Sequence, residues 1–249
     1  TLVSWNWLAG GNQGSSNTDG SINTTYTSVN TTAGFSISSY TGSGANATIG
    51  HGLGVTPNVV LVKCLSSTGN WKMHHNSLAP ITSLNLNTTS AQISTASVFN
   101  SMATLNSSVF SVGTEGDTNS SGLTYVAYCF ADVQGYSKFG SYVGNGNVDG
   151  TFCYTGMKPS FVMVKKTSAT NNFVITDNKR DSFNDDATNY LLANDSGVEG
   201  TGLNFDLLSN GFKLKSNSGG TNTSGATYIY MAFAEAPLVG SNNVPATAR

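Results

Sequence analysis

The chain repeats itself, and the repeat limits what it can fold into. Ile37-Ser-Ser-Tyr40-Thr-Gly42-Ser-Gly44 returns as Phe139-Gly-Ser-Tyr142-Val-Gly144-Asn-Gly146, 102 residues on when Tyr40 is set against Tyr142. The same spacing carries Pro57-Asn-Val-Val-Leu-Val-Lys63 onto Pro159-Ser-Phe-Val-Met-Val-Lys165, and Asn70-Trp71 onto Asn172-Phe173. A fourth block, Asn119-Ser-Ser-Gly122-Leu-Thr-Tyr125-Val-Ala-Tyr-Cys-Phe130, returns as Asn222-Thr-Ser-Gly225-Ala-Thr-Tyr228-Ile-Tyr-Met-Ala-Phe233, displaced by 103 (Tyr125 to Tyr228). One residue has therefore been inserted before this last block. Register held over four separate blocks means a duplicated module, of about the 100 residues common for a domain. Thr1 to Ala9 also matches Thr124 to Asp132 position by position, so it is read as the last strand of a preceding copy.

Inside a module the period is two. In Tyr125-Val126-Ala127-Tyr128-Cys129-Phe130, odd and even residues take opposite faces of a strand. Val59-Val60-Leu61-Val62 is apolar on both faces, as in a central strand between two covered surfaces. Turn signals such as Ser67-Thr68-Gly69-Asn70, Gly144-Asn145-Gly146-Asn147 and Ser209-Asn210-Gly211 separate these short runs. The pattern predicts an all-β chain of two tandem antiparallel β-sandwich, jelly-roll-like modules plus the last strand of a preceding module. The expected layout is a terminal strand over 1–11, a linker over 12–33, repeats over 34–135 and 136–238, and a tail over 239–249. Only Asp185 to Leu192 suggests a helical turn. Trp71 and Phe173, at equivalent positions, are expected to anchor the cores.

Composition narrows the function. Of 249 residues only 10% are charged, and 11 basic against 13 acidic residues leave a net charge of −2. Typical domains carry about 25% charged residues, so Asn, Thr, Ser and Gly must supply the polar surface here. There is no basic field for nucleic acid, whose binding neutralises many phosphates. There is no cationic cluster for an anionic membrane, and no apolar run near the ~20 residues of a spanning helix. The N-terminus has neither a basic signal-peptide start nor an initiating Met, so the chain is read as an excerpt or a processed product. Cys64, Cys129 and Cys153 are odd in number and lack metal-ligand spacing, so they are read as buried, reduced strand residues.

Candidate chemistry is thin. His74 and His75 are adjacent on a predicted strand, point to opposite faces and cannot together chelate one metal. Their counterparts in the second copy are Thr176 and Asp177, and that of His51 is Cys153. Asp181, Asp185, Asp186, Asp195, Glu199 and Asp206 lie along one stretch of the second copy, with almost no acid at the matching places of the first. Two of them could serve glycoside hydrolysis only if held about 5–10 Å apart across a cleft. The spacing from Asp181 to Asp186 is not that of a calcium loop. Tyr40 and Tyr142 precede Gly-rich turns, where an exposed ring beside Asn and Ser suits sugar stacking or a subunit interface. The candidate ligand contacts are Tyr40, Tyr142, His74, Asp185 and Asp186; no catalytic residue, metal site or cofactor is expected.

The segments Tyr40-Thr-Gly42, His51-Gly-Leu-Gly54-Val-Thr-Pro57, Tyr125 to Tyr142 and Tyr228-Ile-Tyr-Met-Ala-Phe-Ala-Glu235 resemble a repeat module of marine and cyanobacterial tailed-phage, tail-fibre-like structural proteins. The resemblance covers about residues 30 to 249. It implies a virion-borne appendage, made in the host cytoplasm, with no catalytic motif and no ligand set to carry over. It further implies contacts with other virion proteins, a homo-oligomer with a cyclic trimer favoured, and a host-surface glycan or protein as target. Neither nucleic acid nor membrane insertion is expected. Host attachment is the leading expectation. A ligand-free spacer or capsid or tail decoration is the alternative, and a surface-polysaccharide depolymerase, suggested by the acids between Asp181 and Asp206, is the third reading.

Overall fold

The computed structural model describes residues 4–180, 184 and 188–235. Seventeen strands, all paired antiparallel, account for nearly all of its regular structure. The chain is an all-β sandwich protein, and it divides into two units. Unit 1 takes residues up to Ser83 together with Ser94–Ala131. Unit 2 takes Leu84–Ile93 and the residues from Asp132 on.

The first copy supplies β1 (Tyr26–Asn30), β2 (Phe35–Thr41), β3 (Ala47–Gly50), β4 (Val59–Cys64), β5 (Lys72–His75), β6 (Thr82–Asn85), β7 (Ile93–Ser94), β8 (Val109–Val112) and β9 (Thr124–Phe130). Seven of these form a sheet in the order β1-β2-β9-β4-β5-β6-β7, and β3 and β8 form a second, smaller sheet. Alternation sets what each strand buries. Tyr125, Ala127 and Cys129 of β9 enter the core with Val60, Val62 and Cys64 of β4, and meet Ile49 of β3 and Phe110 of β8 from the other sheet. Val59 on the opposite face of β4 is also buried, as a strand apolar on both sides requires.

Unit 2 repeats the plan with β10 (Ser137–Val143), β11 (Phe152–Tyr154), β12 (Phe161–Lys166), β13 (Phe173–Asp177), β14 (Leu191–Leu192), β15 (Phe205–Leu208), β16 (Gly211–Leu214) and β17 (Thr227–Phe233). The order β10-β17-β12-β13-β14 matches β2-β9-β4-β5-β6, and β11-β16-β15 forms the smaller sheet. Its core joins Val162, Val164, Tyr228 and Tyr230 to Phe205 and Phe212. Lys63 and Lys165 hold the same hairpin in each copy. Lys63 Nζ donates to Gly69 O at 2.9 Å, and Lys165 Nζ to Asn171 O at 2.5 Å. Lys165 also donates to Thr89 O at 3.1 Å and lies 5.3 Å from the Phe173 ring centroid. Burial lowers its pKa to about 8.

Several expectations change. The stretch 12–33 is not a linker. Tyr26–Asn30 pairs with β2, Ile22 bridges Ile49, Thr27 Oγ1 bonds Ser38 Oγ at 3.0 Å and Ser21 N donates to Thr48 Oγ1 at 2.9 Å, so backbone and hydroxyl bonds hold it to the rest of unit 1. Of the expected upstream strand, residues 4–9 carry no strand pairing, and Thr1 to Val3 lie outside the described residues. Unit 2 begins at Asp132 and takes in Leu84–Ile93 from the first copy's sequence, where a cut at 135/136 was expected. No helical turn occurs at the described residues of 185–192, where Leu191–Leu192 is a strand. The short helices are instead α1 (Ala96–Phe99), a 3-10 turn at Asn100–Met102, and α2 (Gly116–Asn119). Phe173 is fully buried, whereas Trp71 is half-buried and stacks on Tyr128 at 6.0 Å.

Candidate functional site

Tyr40 and Tyr142 are interior residues, and this corrects their reading as ligand contacts. Their side chains are 1% and 7% exposed. Tyr40 donates its hydroxyl proton to Thr118 O at 2.6 Å, and Tyr142 donates to Thr221 O at 2.8 Å. Each stacks on the tyrosine opposite it in the sheet, Tyr125 at 5.2 Å and Tyr228 at 4.9 Å. Burial raises the pKa of both Tyr40 and Tyr142 well above the ordinary value.

A buried asparagine completes the motif in each copy. Asn119 Nδ2 donates to Ala45 O at 2.6 Å and Gly113 O at 2.7 Å, and its Oδ1 accepts from Ser43 N at 2.8 Å. Asn222 Nδ2 donates to Asn147 O and Ser216 O, both at 2.8 Å, and its Oδ1 accepts from Asn145 N at 2.9 Å. Gly42 and Gly144 permit the approach: an added Cβ would lie 2.3 Å from Ser120 O or 2.4 Å from Thr223 O. The Gly-rich turns found from sequence therefore belong to a clasp that closes each sandwich.

His74 is likewise no surface ligand contact. It is 3% exposed, faces the Phe99 ring edge-on at 6.2 Å, and its Nδ1 has no hydrogen-bond partner. Burial holds its pKa down to about 4, opposed only in part by a backbone hydrogen bond with Thr82. Burial lowers the pKa of His51 too. In the unfolded chain histidine protonates near 6.5, so between pH 6.5 and 4 the unfolded state binds more protons than the folded one. Stability is full above that window and falls by about 3 kcal/mol as pH drops through it. The urea midpoint of unit 1 is expected to show this loss, and His74→Thr, which installs the second copy's residue, should remove most of it. A slope unchanged in that variant would acquit His74.

The acids are spent on structure where they are described. Glu199 Oε2 accepts from Arg180 at 3.1 Å, Asp206 lies 3.7 Å from Lys215 Nζ, and Asp195 Oδ1 accepts from Gly197 N. Asp181, Asp185 and Asp186 lie outside the described residues. In unit 1, Glu115 and Asp117 both meet the buried Lys72, at 2.8 and 3.4 Å. Among the described residues no three of His, Cys, Asp and Glu gather in a way that could hold a metal ion. All three cysteines are free and buried; burial raises the Cys129 pKa and takes that of Cys153 to about 12.

What remains open to a ligand differs between the copies. Unit 1 has a groove of about 520 Å³ lined by Leu8, Gln13, Tyr26, Ser28, Ile37 and Ser39. Unit 2 exposes Phe152 and Tyr154, 43% and 65%, on β11. Cys153 between them is in the core, so alternation points both rings outward. Cys153 faces Phe212 as Ile49 faces Phe110, so by register the equivalents of Phe152 and Tyr154 in the first copy are Thr48 and Gly50. Sequence reasoning missed this pair, although the alternation and the contrast between copies both mark it.

Residues 1–237 match a family described as Domain of unknown function (DUF7483). The chain belongs to the DUF7483 family. No curated protein and no solved structure matches it. The DUF7483 match runs through both copies and the segment before them, so the family describes the pair of sandwiches and not a single copy. The tyrosine–asparagine clasp thus occurs twice within one DUF7483 domain.

Proposed function

We propose that this chain is a non-enzymatic, host-attachment segment of a tailed-phage tail fibre or similar virion appendage. One observation carries the reading: the two copies share their buried clasp and differ at their exposed surfaces. Asn119 and Asn222 do the same work, while Phe152 and Tyr154 stand where the first copy has Thr48 and Gly50. A repeated scaffold with one-off surfaces suits a particle-borne part whose contacts with a host are weak singly and strong in number. A cyclic homo-oligomer, a trimer by preference, would supply that number and cover strand edges. The low charge and the polar Asn, Ser, Thr and Gly surface suit an extracellular appendage.

Purified protein should compete with the phage that encodes it for adsorption to host cells, lowering the adsorption rate in proportion to the protein bound. Protein that neither binds the host nor slows adsorption would remove host attachment. Label placed along a shaft or on the capsid, and not at a distal tip, would then favour the spacer or decoration reading.

A further inference from the structure

We infer that the outer face of β11-β16-β15 is a platform for neutral sugar units of a surface polysaccharide. This deepens the attachment reading and rests on it for the source of the ligand. The face is built from two rows in register. Phe152 pairs with Lys213 and Lys213 with Asp206; Tyr154 pairs with Gly211 and Gly211 with Leu208. Both rings lie beside glycine backbone. An added Cβ on Gly211 would sit 3.0 Å from Phe152 Cε2 and Cζ, and one on Gly156 3.7 Å from Tyr154 Cζ. One side of each ring is therefore taken by its own chain, and the remaining exposure faces solvent.

The chemistry selects the ligand. The π-face of an aromatic ring carries partial negative charge, which suits the weakly positive C–H face of a sugar ring. Around the rings, Lys213 pairs with Asp149, and Lys215 lies beside Asp206. Two cations against two carboxylates leave the face neutral, with donors and acceptors for hydroxyl groups. A charged glycan finds no complementary field there. A second copy of the chain is a poor occupant. Three strands about 4.8 Å apart and four residues long present on the order of 200 Å², against about 800 Å² per partner in a stable protein interface.

The contrast within the chain supports a gained site. At the first copy's counterpart of Tyr154, an added Cβ on Gly50 would lie 1.7 Å from Asn17 Oδ1. That position is closed by the chain itself, in a segment the second copy does not contain.

The test is electrophoresis of the full chain through gels holding neutral hexose polymers: α-1,4-, β-1,3- and β-1,4-linked glucans, a mannan and a galactan. Anionic polymers such as an alginate run in parallel. The unsubstituted chain should be retarded by at least one neutral polymer. Phe152→Ala with Tyr154→Ala should weaken retardation about ten-fold or more, while Tyr154→Trp should keep it. Both positions are exposed, and an unchanged urea midpoint confirms the fold of each variant. No retardation by any neutral polymer, retardation by anionic polymers alone, or retardation indifferent to the double substitution overturns the inference. So does self-association that the double substitution abolishes in place of sugar binding. Retardation that depends on the rings without competition for adsorption would keep the platform and remove host attachment, so the two failures are distinct.

Discussion

Asn222→Ala is expected to destabilise unit 2 by about 3 kcal/mol, read as a lower urea midpoint at unchanged slope. The amide holds two carbonyl oxygens and one backbone N–H from separate stretches of chain. Truncation leaves all three without that partner, at a cost of about 1–3 kcal/mol for each one that stays buried. Asn145 and Asn147 are exposed, so water reaches part of the vacated site and the sum stays below the maximum. Asn222→Asp should be worse than alanine at neutral pH, because a carboxylate accepts and cannot donate, and carbonyl oxygens face it. It should recover in acid, where the protonated carboxyl donates again. Asn119 should behave alike in unit 1. Midpoints unmoved in both variants would mean that the turns hold without the amide.

Lys72→Met is expected to destabilise unit 1 by about 2–3 kcal/mol, below the ~3–5 kcal/mol of a fully buried broken pair because both carboxylates reach solvent. The Lys72 side chain is 5% exposed, Glu115 28% and Asp117 17%. Removing the ammonium leaves two partly buried carboxylates without their shared cation, with Glu115 Oε2 already lacking a partner. Adding Glu115→Gln and Asp117→Asn should recover most of the loss. The second copy has Val174 at the lysine's place and no acid from Asn217 to Gly220, so the fold closes there without ions. A double-mutant cycle reads the coupling directly, and additive losses would mean that the three charges do not interact.

The strands were legible because alternation and turn residues are local signals. Tyr125 to Phe130 shows its two faces in the residue types alone, and the repeat doubled the evidence for each strand. The clasp was half legible. Tyr40 and Tyr142 stood out beside their Gly-rich turns, but their acceptors lie 78 and 79 residues away, and no local pattern announces such a bond. A tyrosine before a polar turn reads as exposed until that partner is known. His74 misled for a related reason: a polar residue on a short strand reads as surface, yet β5 is buried along its whole length. The stretch 12–33 misled by composition. Its few apolar residues suggested a linker, while Thr27 and Ser21 bind Ser38 and Thr48 of the neighbouring strands through hydroxyl hydrogen bonds. Leu84–Ile93 could not be assigned to unit 2 from a linear repeat, because a repeat marks ancestry and not the place where a segment packs.

The closeness of Gly50 to Asn17 also constrains the history of the duplication. With Asn17 in place, no side chain larger than hydrogen fits at position 50. A copy that keeps this covering segment is confined to glycine there, whatever a side chain would gain. A copy that never had the segment, or lost it, is free to sample bulk at the same position, as Tyr154 does. Bulk at this position and the covering Asn17 therefore exclude each other, because together they would force a backbone-borne carbon into the amide. New surface chemistry in such a duplicated chain is therefore gated by whether a neighbouring stretch leaves room for it.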